Sequence, residues 1–400
     1  MIIGLIGKAN VGKSTFFNAA TELAVPSANY PFTTIEPNVG VAYARIRCTC
    51  REFGVQDNPV HSMCIDGNRF IPVKLIDVAG LVPGAHAGKG LGNKFLDDAR
   101  QADALIHVVD ASGSTDSGGK PVPAGTEDPM SDIKFVEEEF DLWMAGIVSR
   151  DWSKTAREAE NQGQKLEQML AKRLSGLAIP EHHVFSAIHE SGLGSKKPTL
   201  WTEDDILHFC KVLRARAKPF LVAANKADLP TAEANIAKMK QAGMKVVPCA
   251  SEAESMLKKA SKKGVLHYLP GDNSFEVKPS MQLNEQQKKA LDLVKGLIEK
   301  YGSTGVQDAI NTACFDLLHL VAVYPVEDEV KLADKKGNVL PDVRLLPEGS
   351  TAKDLAATVH ADLAKGFLYA IDARTKQRIG ADHKLKAGDV IKIVSAASRG

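Results

Sequence analysis

The 400-residue chain carries 50 basic and 49 acidic residues, so no bulk charge draws it to a nucleic-acid backbone or to an acidic membrane surface. Its 44% hydrophobic and 25% charged residues are an ordinary balance for a globular protein of two or three domains. No apolar run approaches the ~20 residues that span a bilayer, and the start lacks the basic lead and cleavage site of a signal peptide. A cytoplasmic protein is expected, without a membrane or DNA partner.

The first apolar stretch, "IIGLIG" (2–7), reads as a buried strand and runs straight into "GKANVGKST" (7–15). Residues 7–14 match G-x-x-x-x-G-K-[ST] in a strand–loop–helix setting, the pattern of a phosphate-binding loop. The glycines let the backbone curl until its N–H groups face inward, and a helix beginning near Lys13 adds its positive end. The expected phosphate contacts are Gly7, Asn10, Val11, Gly12, Lys13, Ser14 and Thr15. Lys13 would reach the β- and γ-phosphates and the Ser14 hydroxyl would take a position on Mg2+, so the loop is expected to hold a nucleoside triphosphate.

In "NYPFTTIEPNVG" (29–40), Thr34, or failing it Thr33, is placed to close over magnesium and sense the γ-phosphate. Next come Cys48, Cys50, His61 and Cys64, zinc-ligand types within 17 residues. Cys-x-Cys is not the usual two-residue-gap knuckle, and buried thiols in a β-hairpin are the preferred reading. A second strand, "FIPVKLIDVAG" (70–80), ends in Asp-x-x-Gly. That pattern recurs at 110–113, 116–119 and 334–337, but only the first copy follows a long strand after the phosphate loop. Position therefore selects Asp77 as the acid behind the magnesium and Gly80 as a backbone donor near the γ-phosphate.

"ADALIHVVDASG" (102–113) and "AKPFLVAANKAD" (217–228) continue the series of buried strands, yet Asp110 and Pro219 are 109 residues apart. A crossover helix needs only a dozen or so residues, so an insertion is expected. It opens with a Gly/Pro/Ser-rich loop (111–129). Val136, Phe140, Trp143 and Ile147 then mark one helix, with Glu137–Glu139 placed near its start, and Leu166, Met169, Leu170 and Leu174 mark a second. The two stripes suggest a helical hairpin.

"NKAD" (225–228) decides the base. Asp228 can accept hydrogen bonds from guanine N1–H and the 2-amino group, Asn225 would meet the other edge, and Lys226 would lie along the ring. Adenine offers no such donor pair, and a site built for one pattern of partners rejects a ligand that leaves them unpaired. "MKVVPCAS" (244–251) is the last strand of the series; Ala250 and Ser251 stand where Ser-Ala is usual, and the Ser251 amide is expected on guanine O6. A helix over 284–302 follows, then a capping-box signal at Thr304 and Gln307 before 308–320. From residue 321, short strands surround a helix started by Thr351 and Asp354, an α+β module. The expected division is a nucleotide-binding domain over 1–275 with 131–205 inserted, a helical connection over 276–320, and a C-terminal module over 321–398.

"NYPFTTIEPNVG", "DVAGLVPGAHAGKGLGNKFLDD" (77–98) and "NKAD" together resemble the YchF-type branch of Obg-related GTPases, in its archaeal form. Residues 323–380 resemble a TGS domain. The resemblance implies an α/β P-loop NTPase (G domain) with a parallel sheet, an inserted α-helical hairpin and a C-terminal α+β β-grasp (TGS) domain. It also implies a translation-associated regulatory enzyme that hydrolyses GTP to GDP and contacts ribosomes or RNA, with Lys13, Thr34 and Gly80 in catalysis. Many relatives carry Asn-x-x-Glu and prefer ATP; with Asp228 retained, GTP is expected. Leu81 stands where Ras-like enzymes carry a water-orienting glutamine, so turnover is expected to be slow. Asn10 resembles the asparagine that holds a potassium ion in cation-activated GTPases, where K+ takes the part of an arginine finger. His86 is a weaker catalytic candidate. An ATPase of the same fold, or an RNA- or ribosome-binding module with a structural nucleotide, are the competing readings. Lys353, Lys365, Arg374, Lys376 and Arg378 are interspersed with acids, as on a solvated mixed-charge face.

Overall fold

A computed structural model describes residues 1–22, 38–78, 84, 99–161, 165–177 and 179–396. Two compact units emerge. One takes in the start of the chain and Lys74–Ala309; the other takes in Val41–Val73 together with the chain from Ile310 onward.

The first seven strands are β1 (Ile2–Ile6), β2 (Val39–Arg47), β3 (Met63–Ile65), β4 (Asn68–Asp77), β5 (Ala104–Asp110), β6 (Phe220–Asn225) and β7 (Val246–Pro248); those of the first unit lie side by side in the order β4-β1-β5-β6-β7. In the first unit, β1 pairs in parallel with β4 and β5, β5 with β6, and β6 with β7. All seven residues of β5 are buried, as expected of a strand covered on both faces. Parallel pairing brings the carboxyl ends of β1, β4, β5 and β6 to one edge, where ligands of open α/β sheets bind. The register sets Leu5 opposite Asp77 and Asp110 opposite Asn225.

The insertion between β5 and β6 is larger than a hairpin. Helices Pro129–Ser149, Trp152–Asn161, Leu166–Arg173 and Glu181–Glu190 precede the crossover helix Glu203–Ala217. Their core joins Val136, Phe140, Met144, Leu170, Val184 and Phe209. Two of these helices escaped the periodicity argument for lack of a long apolar stripe; Trp152–Asn161, for example, buries only Thr155 and Ala156. The first helix also starts earlier than expected. Asp128 caps it, Pro129 follows, and Glu137–Glu139 fall in its interior, with Glu139 buried. The helix expected over 284–302 spans Glu285–Tyr301. At the expected cap, the Thr304 hydroxyl donates to Glu254 (2.5 Å) just before the helix Val306–Asn311.

In the second unit, β3 and β4 form an antiparallel hairpin around Asp66 and Gly67. Both have positive φ (51° and 75°), the primed turn that matches strand twist. After the two-residue strands β8 (Leu266–His267) and β9 (Glu276–Val277) of the first unit come β10 (Leu320–Val326), β11 (Arg344–Pro347), β12 (Phe367–Asp372), β13 (Arg378–Ile379) and β14 (Val390–Ser395). These form a mixed sheet, β11-β10-β14-β12-β13, in which only the central pair β10–β14 is parallel. Helix Ala352–Val359, started by the expected Thr351–Asp354 capping box, packs Leu355 onto Val323, Leu346 and Ile391. This is the β-grasp arrangement. "KLADKKGNVL" (331–340) forms only isolated bridges there.

A split near residue 320 misses the company that 41–73 keeps. The Asn58 and Val60 amides donate to the Val339 and Pro341 carbonyls (3.0 and 2.8 Å), and Arg69 Nη2 donates to the Leu340 carbonyl (3.0 Å). These bonds draw the segment to the C-terminal residues.

Candidate nucleotide-binding site

Gly7 (φ 151°) leaves β1 in a conformation that L side chains rarely adopt, and a Cβ there would lie 2.5 Å from the Val108 carbonyl oxygen. Asn10 also has positive φ (64°), which asparagine tolerates better than most residues. Gly12 (φ 90°) stands at the start of helix Lys13–Thr21 with no side-chain cap, and the first turn holds no acid. The helix N-terminus therefore offers N–H groups that have no partner within the helix, and a positive end with no acid in its own first turn, the two things an anion needs. Val11 is fully buried, Thr15 half-buried, and Asn10 and Ser14 exposed.

Lys13 is folded back along this loop: its ammonium contacts Asp77 Oδ1 and donates to the Val78 carbonyl (2.7 Å). The structure thus brings together the loop lysine and the acid chosen by position at the end of β4. Thr34 and Gly80, with Thr33, Leu81 and His86, lie outside the described residues.

At the end of β6, Asn225 is buried and its amide is fully directed. Nδ2 donates to the Val11 carbonyl (3.0 Å), while Oδ1 accepts from the Ser251 amide (3.1 Å) and hydroxyl (2.9 Å). A Cβ on Gly12 would collide with that same Nδ2. One side chain therefore ties the phosphate loop to the base motif and to the loop after β7. Asp228, three residues on, is exposed. Lys226, in the left-handed region (φ 59°), donates to Asp110 (2.7 Å) and lies 3.2 Å from both Ser114 Oγ and Thr115 Oγ1.

The Ser251 N–H assigned to guanine O6 is donated to Asn225, and the Ala250 N–H is donated to the Thr304 carbonyl (2.9 Å). The exchanged pair keeps a supporting hydroxyl all the same, since Ser251 Oγ reaches Asn225.

Family models match the chain along most of its length: a 50S ribosome-binding GTPase model over residues 2–138, an Obg-like GTPase YGR210-like G4 motif-containing domain over 223–328, and a TGS domain over 335–395. An uncharacterized GTP-binding protein of Methanocaldococcus jannaschii is 52% identical over 99% of both chains. The chain belongs to the YchF-type Obg-like GTPases. The crystal structure of a GTP-binding protein from Pyrococcus horikoshii is 43% identical, with a TM-score of 0.79 over 99% of this chain and all of that one. The ribosome-binding ATPase YchF of Bacillus subtilis is 28% identical over 92% of this chain and 87% of its own. This YchF-type chain is thus a P-loop G domain with a helical insert and a C-terminal TGS domain.

Several contacts that build the candidate site of this YchF-type protein carried no signal in the sequence. Lys8, the buried second residue of the phosphate loop, donates to the Thr115 carbonyl (2.8 Å) and pairs with Asp132 (2.7 Å). The Asn10 amide donates to the Gly119 carbonyl (2.7 Å). The Gly/Pro/Ser-rich loop thus braces the phosphate loop from behind. At its root Asp110 accepts from Lys226, Ser112, Ser114 and Thr115. Burial alone would raise its pKa, but the Lys226 bond and the hydroxyls outweigh that and hold it at about 2. The "NKAD" motif alone hinted at a partner for Lys226, without saying which. Thr304 and Gly305 prop the loop after β7, since a Cβ on Gly305 would collide with the Pro248 carbonyl. Of the basic residues in the TGS domain, Arg374 pairs with Glu52, Lys365 lies 3.7 Å from Asp362, and Lys376 donates to the Glu329 carbonyl (2.5 Å). Among the described residues, no helix is long and apolar enough to cross a membrane.

Proposed function

We propose that this chain binds GTP and hydrolyses it slowly to GDP and phosphate with Mg2+, as a regulatory switch that works at the ribosome. One observation carries the base assignment. Asn225 is committed to the Val11 carbonyl and Ser251, whereas Asp228 on the same strand end is left exposed with a carboxylate for N1–H and the 2-amino group. The 50S ribosome-binding GTPase model and the name of the Bacillus subtilis relative support the ribosomal part.

Phosphoryl transfer asks the protein for positioning and charge neutralisation. A bound triphosphate offers Lys13 phosphate oxygens in place of the Asp77 carboxylate and the Val78 carbonyl, so the ammonium exchanges one anionic partner for another. Asp77 is then released. Ser14 and Asp77 would hold Mg2+: a hydroxyl and a carboxylate are the hard oxygen donors that it takes, leaving positions for phosphate and water. When bound, it neutralises charge across the β- and γ-phosphates. Asn10 would hold K+ through Oδ1, because its Nδ2 is already fixed on Gly119. Leu81 has no group that orients water, which keeps turnover slow without a partner.

A second reading, an ATPase, has one observation on its side: with the Ala250 and Ser251 amides both engaged, O6 of guanine lacks the donor expected for it. Calorimetric titration with GTP, GDP and ATP separates the two, with turnover measured against a Lys13→Ala blank, with and without ribosomes. Tighter binding of GTP by at least tenfold, and turnover raised by ribosomes, are expected. Equal or tighter binding of ATP would overturn the guanine assignment.

A further inference from the structure

We propose that Cys48, Cys50, Asp57 and Cys64 form a closed structural zinc site in the second unit, independent of the nucleotide reading. Their ligand atoms all lie within 4.8 Å of one another, and all but Cys64 are buried. Tetrahedral zinc with Zn–S near 2.3 Å and Zn–O near 2.0 Å sets its ligand atoms about 3.8 Å apart for two sulfurs and about 3.5 Å apart for sulfur and oxygen. Cys50 Sγ and Cys64 Sγ are 3.8 Å apart, and Cys48 Sγ is 3.2 Å from Asp57 Oδ2. Two of the six edges of a metal tetrahedron are thus already close to length, and the other four need only small side-chain adjustments.

The set differs from the one that spacing suggested. His61 is turned away, with Nδ1 2.6 Å from Asp342. Asp57 takes the fourth corner, and the turn that brings it there runs through Gly54, which ends the four-residue helix Cys50–Phe53 in the left-handed region. Nor do the thiols share one hairpin. Cys64 lies on β3, Cys50 opens the short helix, and Cys48 precedes it, with its amide bonded to the Gly67 carbonyl (2.8 Å).

Charge and surroundings fit the ion. Three thiolates and a carboxylate around Zn2+ carry a net charge of −2, and the fully buried Arg69 stands against them with Nη2 2.9 Å from Asp57 Oδ2. Such an outer partner orients a ligating carboxylate and offsets its charge. Arg69 is itself anchored by Ser62 Oγ (2.9 Å) and the Leu340 carbonyl (3.0 Å) and stacks over Tyr324. Four protein donors leave no place for water or substrate, so the site is structural. It would staple residues 48–64, whose helix is far too short to hold its own shape, and would present Asn58 and Val60 to the 339–341 backbone.

The test uses the full chain, grown with added zinc and purified without chelators. Elemental analysis should find about one zinc per chain, and Co2+ titrated into metal-stripped protein should give the thiolate-to-cobalt absorption of a tetrahedral sulfur site. Cys50→Ser and Asp57→Asn should each lose at least nine-tenths of the zinc, while His61→Ala should keep it. If Cys50→Ser does not fold, the cobalt spectrum of the unaltered chain still decides. Zinc below a tenth of an equivalent together with no thiolate–cobalt band would overturn the site, leaving three cysteines around an Arg69–Asp57 pair. Loss of zinc in His61→Ala with retention in Asp57→Asn would overturn the ligand set.

Discussion

Replacing Asn225 by alanine tests whether one amide couples the phosphate loop to the base motif. In the folded chain this side chain makes three hydrogen bonds, all in a buried setting. Alanine removes both partners that its amide offers. The Val11 carbonyl and the Ser251 N–H are then orphaned, while the Ser251 hydroxyl can rotate to a new acceptor. Each orphaned buried group costs roughly 1–3 kcal/mol, and a water entering the vacated space recovers part of that. A net loss of about 2–4 kcal/mol is expected, which for a unit of this size lowers Tm by roughly 5–10 °C. Thermal unfolding of the nucleotide-free protein, followed by circular dichroism, measures it. The comparison variant is Asp228→Asn, at an exposed carboxylate, where a change within about 0.5 kcal/mol is expected. If Asn225→Ala melts with the unaltered protein, or Asp228→Asn falls as far, the coupling role assigned to Asn225 is wrong.

In the same Asp228→Asn variant, GTP affinity should drop by about 10²–10⁴-fold, as two hydrogen bonds to a charged group are lost, while xanthosine triphosphate gains; a calorimetric preference for GTP that survives would exclude Asp228 from base reading. Asp110 governs the acid limb of stability. Its folded pKa of about 2 lies below the usual 3.8, so its contribution is complete above pH ~4 and is lost as pH falls toward 2. The fall from 3.8 to about 2 corresponds to about 2–3 kcal/mol, and Asp110→Asn should lower stability at pH 7 and flatten the fall between pH 4 and 2 in denaturant titrations. GTP turnover should be faster in potassium than in sodium buffer, and Asn10→Ala should abolish the difference; identical rates in the two salts would remove K+ from the mechanism. Gly12→Ala should cost both stability and nucleotide affinity, because its Cβ meets Asn225 in a left-handed backbone; unchanged melting and binding would show that the loop relaxes freely.

Local chemistry wrote much of this molecule into its residue order. A glycine-rich loop between a buried strand and a helix can be recognised without a third dimension, because the φ values and free N–H groups that phosphate needs are properties of neighbouring residues. The same holds for the "NKAD" strand end, for the Thr351–Asp354 cap and for the 109-residue gap that announced an insertion. Where partners are far apart in sequence, the residue order was silent. Lys8 meets Thr115 and Asp132, Asn225 meets Val11, and Ala250 meets Thr304, pairings that exist only once parallel strands have aligned their carboxyl ends. Spacing named His61 beside the cysteines, but it counts residues and is blind to direction; the turn at Gly54 brought Asp57 inward and left His61 facing Asp342. Contacts set by backbone geometry within a few residues were legible in the chain, and contacts set by how distant segments pack required the folded molecule.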